Sequence, residues 1–227
     1  MTKSSTDTKA NAPPERVVAY IDGFNLYFGI CDRLLRQYLW LDVHKLAKKL
    51  AFPNQIVGVT KYFTARVKGA KEGDSKRFAA EQDAKRKRQT TYLDALSTVP
   101  QIVKFEGNYY DNLVKCNGCG RTWHDQEEKM TDVAIATEML ADAYLDLCDT
   151  FLLVSGDSDL VPPVKKILTT FPEKKIIAVF PPDRYSADLD QAASGRRYIE
   201  KGHLKKSQLP LEIPVGSHKL KKPDTWV

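Results

Sequence analysis

Long apolar runs are missing from this chain of 227 residues. None approaches the ~20 residues that a membrane-spanning helix requires, so no span is expected. The opening stretch, Met1 to Glu15, is polar and has no apolar core, which gives no expectation of an export signal. Cysteine is scarce: four residues are too few for a disulfide scaffold, and a reducing cytoplasm is the expected setting. Histidine is equally scarce at four, and no Ser-His-Asp or Cys-His pattern for nucleophilic catalysis emerges. The Gly-x-Gly-x-x-Gly loop that cradles dinucleotide cofactors is also absent.

What is present is ordinary for a globular protein. Apolar residues make up 42% and charged residues 28% of the chain. At roughly 150 residues per domain, the length suits one generous domain or one domain with an insert. Lys and Arg outnumber Asp and Glu by 35 to 29, a net charge of +6. That is a mild lean toward an anionic partner, of which nucleic acid is the commonest.

Short β-rich runs alternate with helical patterns. Strands are predicted at 17–21, 55–64, 101–105, 150–154 and 175–180, with a further short one near Arg197. Helices are predicted at 24–39, 41–50, 74–96, 129–148, 159–170 and 186–193, with Pro162-Pro163 confined to a first turn. The alternation implies an α/β fold with a parallel sheet covered on both faces. Three regions are expected: a disordered arm over 1–15, a domain over 16–204 with an irregular Cys-x-x-Cys insert at about 107–128, and a loose, basic, Pro-containing tail over 205–227.

In parallel sheets, function gathers at the carboxyl ends of the strands. The first strand ends in Asp22 and the fourth in Ser155-Gly156-Asp157-Ser158-Asp159, while Asp132 opens the helix before that fourth strand. Carboxylates converging on one crevice repel one another and are tolerated when a divalent cation neutralises them. An all-oxygen donor set suits Mg²⁺ or Mn²⁺. Asp22 and Asp157 are the expected direct ligands, with Asp132 and Asp159 completing the set or acting through water. Asn25 would orient water or a phosphate oxygen, and Ser155 would hold a carboxylate or a water. Taken singly, each aspartate is equally well explained as a helix N-cap.

Three motifs carry a resemblance: Ala19-Tyr20-Ile21-Asp22-Gly23-Phe24-Asn25-Leu26-Tyr27, Glu128-Lys129-Met130-Thr131-Asp132-Val133-Ala134-Ile135-Ala136, and Leu153-Val154-Ser155-Gly156-Asp157-Ser158-Asp159-Leu160. In order and separation they resemble the NYN domain, a PIN-like nuclease family, in its LabA-like bacterial branch, over about residues 16–200. The middle motif departs from the family pattern, which usually has a small or charged residue where Met130 and Thr131 stand. The resemblance implies a three-layer α/β/α sandwich and Mg²⁺- or Mn²⁺-dependent cleavage of RNA, in single-stranded or loop regions, leaving a 5′-phosphate. It carries the acidic positions onto Asp22, Asp132, Asp157 and Asp159, and the polar one onto Asn25. Two other readings stay open. One is an RNA-binding regulatory module with little or no catalysis. The other is a small-molecule enzyme, since some similar proteins carry the name of a pyridine-ring oxygenase, 6-hydroxy-3-succinoylpyridine hydroxylase.

Cys116-Asn117-Gly118-Cys119 is half of a zinc knuckle, with His124 and Asp125 as nearby candidates to complete a Zn²⁺ site. An unligated knuckle and a redox pair are the alternatives. Tyr109, Tyr110 and Trp123 around it are read as a miniature core rather than as base-stacking groups. Cys31 and Cys148 sit at core-like helical positions. Lys85-Arg86-Lys87-Arg88 spreads around its helix axis and is read mainly as solvated surface, with Arg88 as a possible phosphate contact. Arg184, just after the fifth strand, is the better single candidate for that contact. A homo-oligomer is compatible with the sequence, but no feature specifies one.

Overall fold

The computed structural model describes residues 13–69 and 75–226, and the side chains of 108–113 and 123–129 fall outside the description. Most of the expected N-terminal arm therefore lies outside the described residues. The chain begins with β1 (Glu15–Asp22), whose residues from Val17 to Ile21 are almost fully buried. After β1 come α1 (Gly23–Asp32), α2 (Val43–Leu50), β2 (Gln55–Ala65), α3 (Lys76–Leu96) and β3 (Ile102–Lys115). Then follow β4 (Thr122–Lys129), α4 (Thr131–Tyr144), β5 (Thr150–Val154), α5 (Val161–Thr170) and β6 (Lys175–Phe180). The chain closes with α6 (Ala187–Ala192), β7 (Gly195–Tyr198), α7 (Lys201–Lys206), β8 (Glu212–Val215) and β9 (His218–Lys221).

The main sheet has the order β4-β3-β2-β1-β5-β6-β7. Its six strands from β3 to β7 are parallel, and β4 is an antiparallel edge paired with β3. Strand alternation divides the core in two. Val17, Ala19 and Ile21 join α1, α2, α3 and α7 on one face. Val18 and Tyr20 join α4, α5 and α6 on the other. The result is a three-layer α/β/α sandwich. The chain runs outward from β1 through β2 to β3, then returns to lay β5 on the opposite side of β1. That reversal opens a crevice beyond the carboxyl ends of β1 and β5.

Three local expectations are corrected. The helix from 24 ends at Asp32 rather than at Leu39. Leu34 takes a left-handed backbone (φ 55), and its N–H donates to the Cys31 carbonyl while the Leu35 N–H donates to Ile30, a Schellman closure. The 107–128 segment is a paired hairpin rather than an irregular insert, with Asn108 opposite Lys129 and Lys115 opposite Thr122. Its strand residues mix polar with β-forming types without a period of two, and an edge hairpin needs no continuous apolar face to form its ladder. The loose tail is also absent among the described residues. β8 and β9 form a hairpin, and Trp226 packs on Trp40 (centroids 6.2 Å) and Tyr92 (5.7 Å). Leu209, Ile213 and Trp226 are buried but too sparse in sequence to show a period.

Candidate active site

Asp22 ends β1 and caps α1. Its Oδ1 accepts from the N–H groups of Phe24 (3.1 Å) and Asn25 (3.0 Å). Its Oδ2 accepts from the Asn25 side-chain amide (2.9 Å) and the Ser155 hydroxyl (2.9 Å). A carboxylate has about four lone-pair directions, and here all are used. Burial pushes the Asp22 carboxyl up, and these hydrogen bonds pull it partly back.

The same bonds fix the loop after β5. Asn25 Oδ1 accepts from the Gly156 N–H (3.1 Å), and the Ser155 hydroxyl accepts from the Asp157 N–H (3.1 Å). Asp157 in turn accepts from the Asp159 N–H (2.9 Å) and caps the short 3-10 turn Ser158–Leu160. Thus Asn25 and Ser155 hold the ends of β1 and β5 together, and Asp157 is half-buried at their junction. Two glycines permit the close approach. A Cβ on Gly23 would stand 2.6 Å from the Phe63 carbonyl oxygen, and one on Gly156 2.5 Å from the Arg184 carbonyl oxygen.

Asp132 enters from the first turn of α4. It shares with Asp22 and Asp157 a crevice of about 100 Å³, lined also by Phe24, Asn25, Met130 and Thr131. Burial, and then the charges of Asp157, Asp22 and Asp159, raise the Asp132 carboxyl to about 6. No side chain offsets this with a hydrogen bond to Asp132 among the described residues. Met130, which precedes α4 at the crevice wall, has a left-handed backbone (φ 85) that a side chain adopts at a cost. Further along α4, buried Asp142 receives the Lys61 ammonium and the Tyr20 hydroxyl, and Glu138 also pairs with Lys61 (2.7 Å). This network docks α4 on β1 and β2. Lys61 and Asp142 lie 81 residues apart, so no local pattern reveals their pairing.

The four aspartates, Asn25 and Ser155 therefore meet at one place, with Asp159 at its exposed rim. The donors are all oxygen, as a hard divalent cation requires. Among the described residues, however, no three His, Cys, Asp or Glu side chains are gathered tightly enough to enclose a metal ion. The Asp22 oxygens could take a cation only by giving up Asn25 or Ser155. Asp132 and Asp157 have the less committed oxygens.

The basic candidates are engaged with partners outside the aspartate cluster. Arg184 follows β6 as expected, but its guanidinium pairs with Asp32 and stacks over Phe28 at 6.0 Å. Its Nε is buried without a hydrogen-bond partner among the described residues. Arg88 on α3 lies within electrostatic reach of Tyr27 on α1, whereas Lys85 and Arg86 pair with Glu81 and Asp83 on their own helix. Cys116 and Cys119 occupy the tip of the β3–β4 hairpin as free cysteines, far along the edge strand from Asn108 at its base. The side chains of His124, Asp125, Tyr109, Tyr110 and Trp123 lie outside the described residues. Cys31 and Cys148 are buried.

A 6-hydroxy-3-succinoylpyridine 3-monooxygenase of Pseudomonas putida is 28% identical, over 96% of this chain and 77% of its own. A crystal structure of a protein of unknown function from Vibrio parahaemolyticus is 17% identical, covering 88% of this chain and 99% of that one, with a TM-score of 0.49. The NYN domain matches residues 16–200, which takes in every strand of the main sheet, α1, α4 and all four aspartates. The protein belongs to the NYN domain family, a fold of nuclease type.

Proposed function

We propose that the protein is a ribonuclease that hydrolyses RNA phosphodiester bonds with the help of Mg²⁺ or Mn²⁺. The observation that carries this reading is the convergence of Asp22, Asp132 and Asp157 on one crevice, where the charged form of Asp132 is disfavoured. Burial, and then the charges of Asp157, Asp22 and Asp159, push the Asp132 carboxyl up to about 6, and a half-buried carboxylate among like charges gains from a bound cation. When bound, the ion would make a water more acidic and neutralise charge on the phosphodiester. Asp132 and Asp157 are assigned as its holders. Asp22 is assigned to positioning, because Asn25 and Ser155 lock it between the two strand ends. In the net reaction a water oxygen attacks phosphorus, the bond to the 3′ oxygen breaks, and that oxygen leaves with a proton. The product end is a 5′-phosphate. Substrate regions that are single-stranded or looped fit the open crevice, where a strand can enter without unpairing.

The Pseudomonas putida relative supports a second reading, oxygenation of a pyridine-type ring. The aspartate crevice, about 100 Å³, is well below the 300–1,000 Å³ typical of pockets that enclose a ring-sized ligand. The larger opening between α5 and α6, about 500 Å³, is lined by Ser158, Val161, Pro162, Lys165, Asp188 and Gln191, and none of the three converging carboxylates lines it. Hydrolysis is therefore the better supported function.

The test uses end-labelled single-stranded and hairpin RNA with Mn²⁺, with Mg²⁺ and with EDTA, alongside Asp132→Asn and Asp157→Asn. Cutting by the wild type only with metal, and its loss in folded variants, is the expected result. Intact RNA in every lane with folded wild type would overturn the proposal. Ring hydroxylation by the same preparation would favour the second reading.

A further inference from the structure

The tip of the β3–β4 hairpin has a construction unrelated to the aspartate crevice. The ladder closes with the Cys116 N–H donating to the Arg121 carbonyl (2.8 Å), and the Gly120 N–H donates back to the Cys116 carbonyl (2.9 Å). Gly120 supplies the left-handed residue that this turn needs, with φ 72. Gly118 passes close to the Cys116 sulfur, 3.9 Å from the position its own Cβ would take. The turn thus wraps around one thiol and brings the second beside it. The Cys116 thiol is held below the ordinary cysteine range by the N–H groups of Cys119 and Gly118 and by the Cys119 thiol. Those N–H groups favour a thiolate, the form that binds metal.

This is the backbone of a metal-binding knuckle, and it is exposed: residues 117–122 all face solvent. Closed structural zinc sites are tetrahedral and take four ligands. The tip supplies two. Among the described residues, no third His, Cys, Asp or Glu is gathered with them. The register pairs His124 with Leu113, three rungs from Cys116, so its backbone lies roughly 10 Å down the ladder at about 3.3 Å per residue. Two more ligands of the same kind stand at the tip of a second copy.

We propose that Cys116 and Cys119 bind Zn²⁺ at the hairpin tip, and that the site is completed by the same two cysteines of a second copy of this chain. One zinc then joins two chains tip to tip, with both thiols of each chain deprotonated. The hairpin runs on from β3 past the Ala65–Gly107 pair that ends its ladder with β2, which carries the tip clear of the sheet. The inference is independent of what the aspartate crevice does.

The experiment uses the full chain, reduced and stripped of metal, titrated with Co²⁺ and with Zn²⁺. Co²⁺ should give the intense near-ultraviolet thiolate-to-metal band and the visible bands of tetrahedral coordination, saturating at about one metal per two chains. Zn²⁺ should displace it and double the sedimenting mass, and EDTA should restore the monomer. Cys116→Ser and Cys119→Ser should each lose the band and the dimer. Cys31 and Cys148 are buried, so native alkylation reads the tip: two reactive thiols per chain without zinc and protection with it. One zinc per monomer would overturn the bridge. A chain that takes no cobalt on sulfur, or that closes a Cys116–Cys119 disulfide in its place, would overturn the site. Circular dichroism of the serine variants separates loss of metal from loss of fold.

Discussion

Replacing Asp132 by asparagine should make the metal-free protein more stable at neutral pH. The Asp132 carboxyl moves from 3.8 to about 6 on folding. A shift of that size corresponds to roughly 3 kcal/mol against the charged form, at about 1.4 kcal/mol per pH unit. Asp132 is only half-buried and solvent screens its neighbours, so about 1–2 kcal/mol is the expected cost. The sign follows from proton binding. Above pH 6 the folded state holds a carboxylate it disfavours, while the unfolded state holds one at no cost. As pH falls through 6 the folded protein takes up the proton first and the cost fades. Below 3.8 both states are protonated and it is gone. Urea denaturation in EDTA at pH 8, 6 and 3.5 measures this. Asp132→Asn should exceed wild type by about 1–2 kcal/mol at pH 8, by less at pH 6, and by nothing at pH 3.5. Saturating Mn²⁺ should reverse the ranking at pH 8, since at 100 times its dissociation constant a ligand adds about 2.7 kcal/mol to the protein that binds it. A variant no more stable than wild type at pH 8 in EDTA, or a gap that ignores pH, would refute the burial and repulsion that disfavour the charged Asp132, on which the functional proposal rests.

Three further substitutions probe how the site is held. Ser155→Ala removes a donor to the buried Asp22 and an acceptor for the Asp157 N–H, and should cost about 2 kcal/mol in chemical denaturation. Gly156→Ala forces a Cβ onto the Arg184 carbonyl oxygen. It should cost about 1–3 kcal/mol and displace the 181–186 loop, which a crystal structure of the variant would reveal. Lys61→Met leaves Asp142 buried without its cation and should lower stability by about 3 kcal/mol in urea denaturation. The double variant Lys61→Met/Asp142→Leu should recover much of that loss, because the uncompensated charge is then gone.

Much of this architecture could be read along the chain. The run from Val17 to Ile21 is apolar at every position because both faces of β1 are covered, and continuous apolar runs mark such strands. Asp22 closes β1 and Asp157 lies in the turn that follows β5, so their common placement followed once the sheet was parallel. Met130 was visible as a departure from the family pattern, and its left-handed backbone gives that departure a physical meaning. The hairpin and the C-terminal segment were not legible. An edge ladder tolerates polar residues on both faces, and a tail that docks through single residues such as Trp226 leaves no periodic signal.

The sequence by itself determined which residue types reach the strand ends and which faces of β1 are buried, because alternation and turn chemistry act over a few neighbouring residues. Tertiary structure alone decided how those groups are spent. Ser155 and Asp22, 133 residues apart, meet only because β5 returns beside β1, and that bond turns a candidate ligand into a fixed floor for the site. Arg184 and Asp32, 152 residues apart, pair because the loop after β6 packs on α1. Partner choice at such separations depends on where the whole chain places its backbone, which no local pattern of side chains encodes.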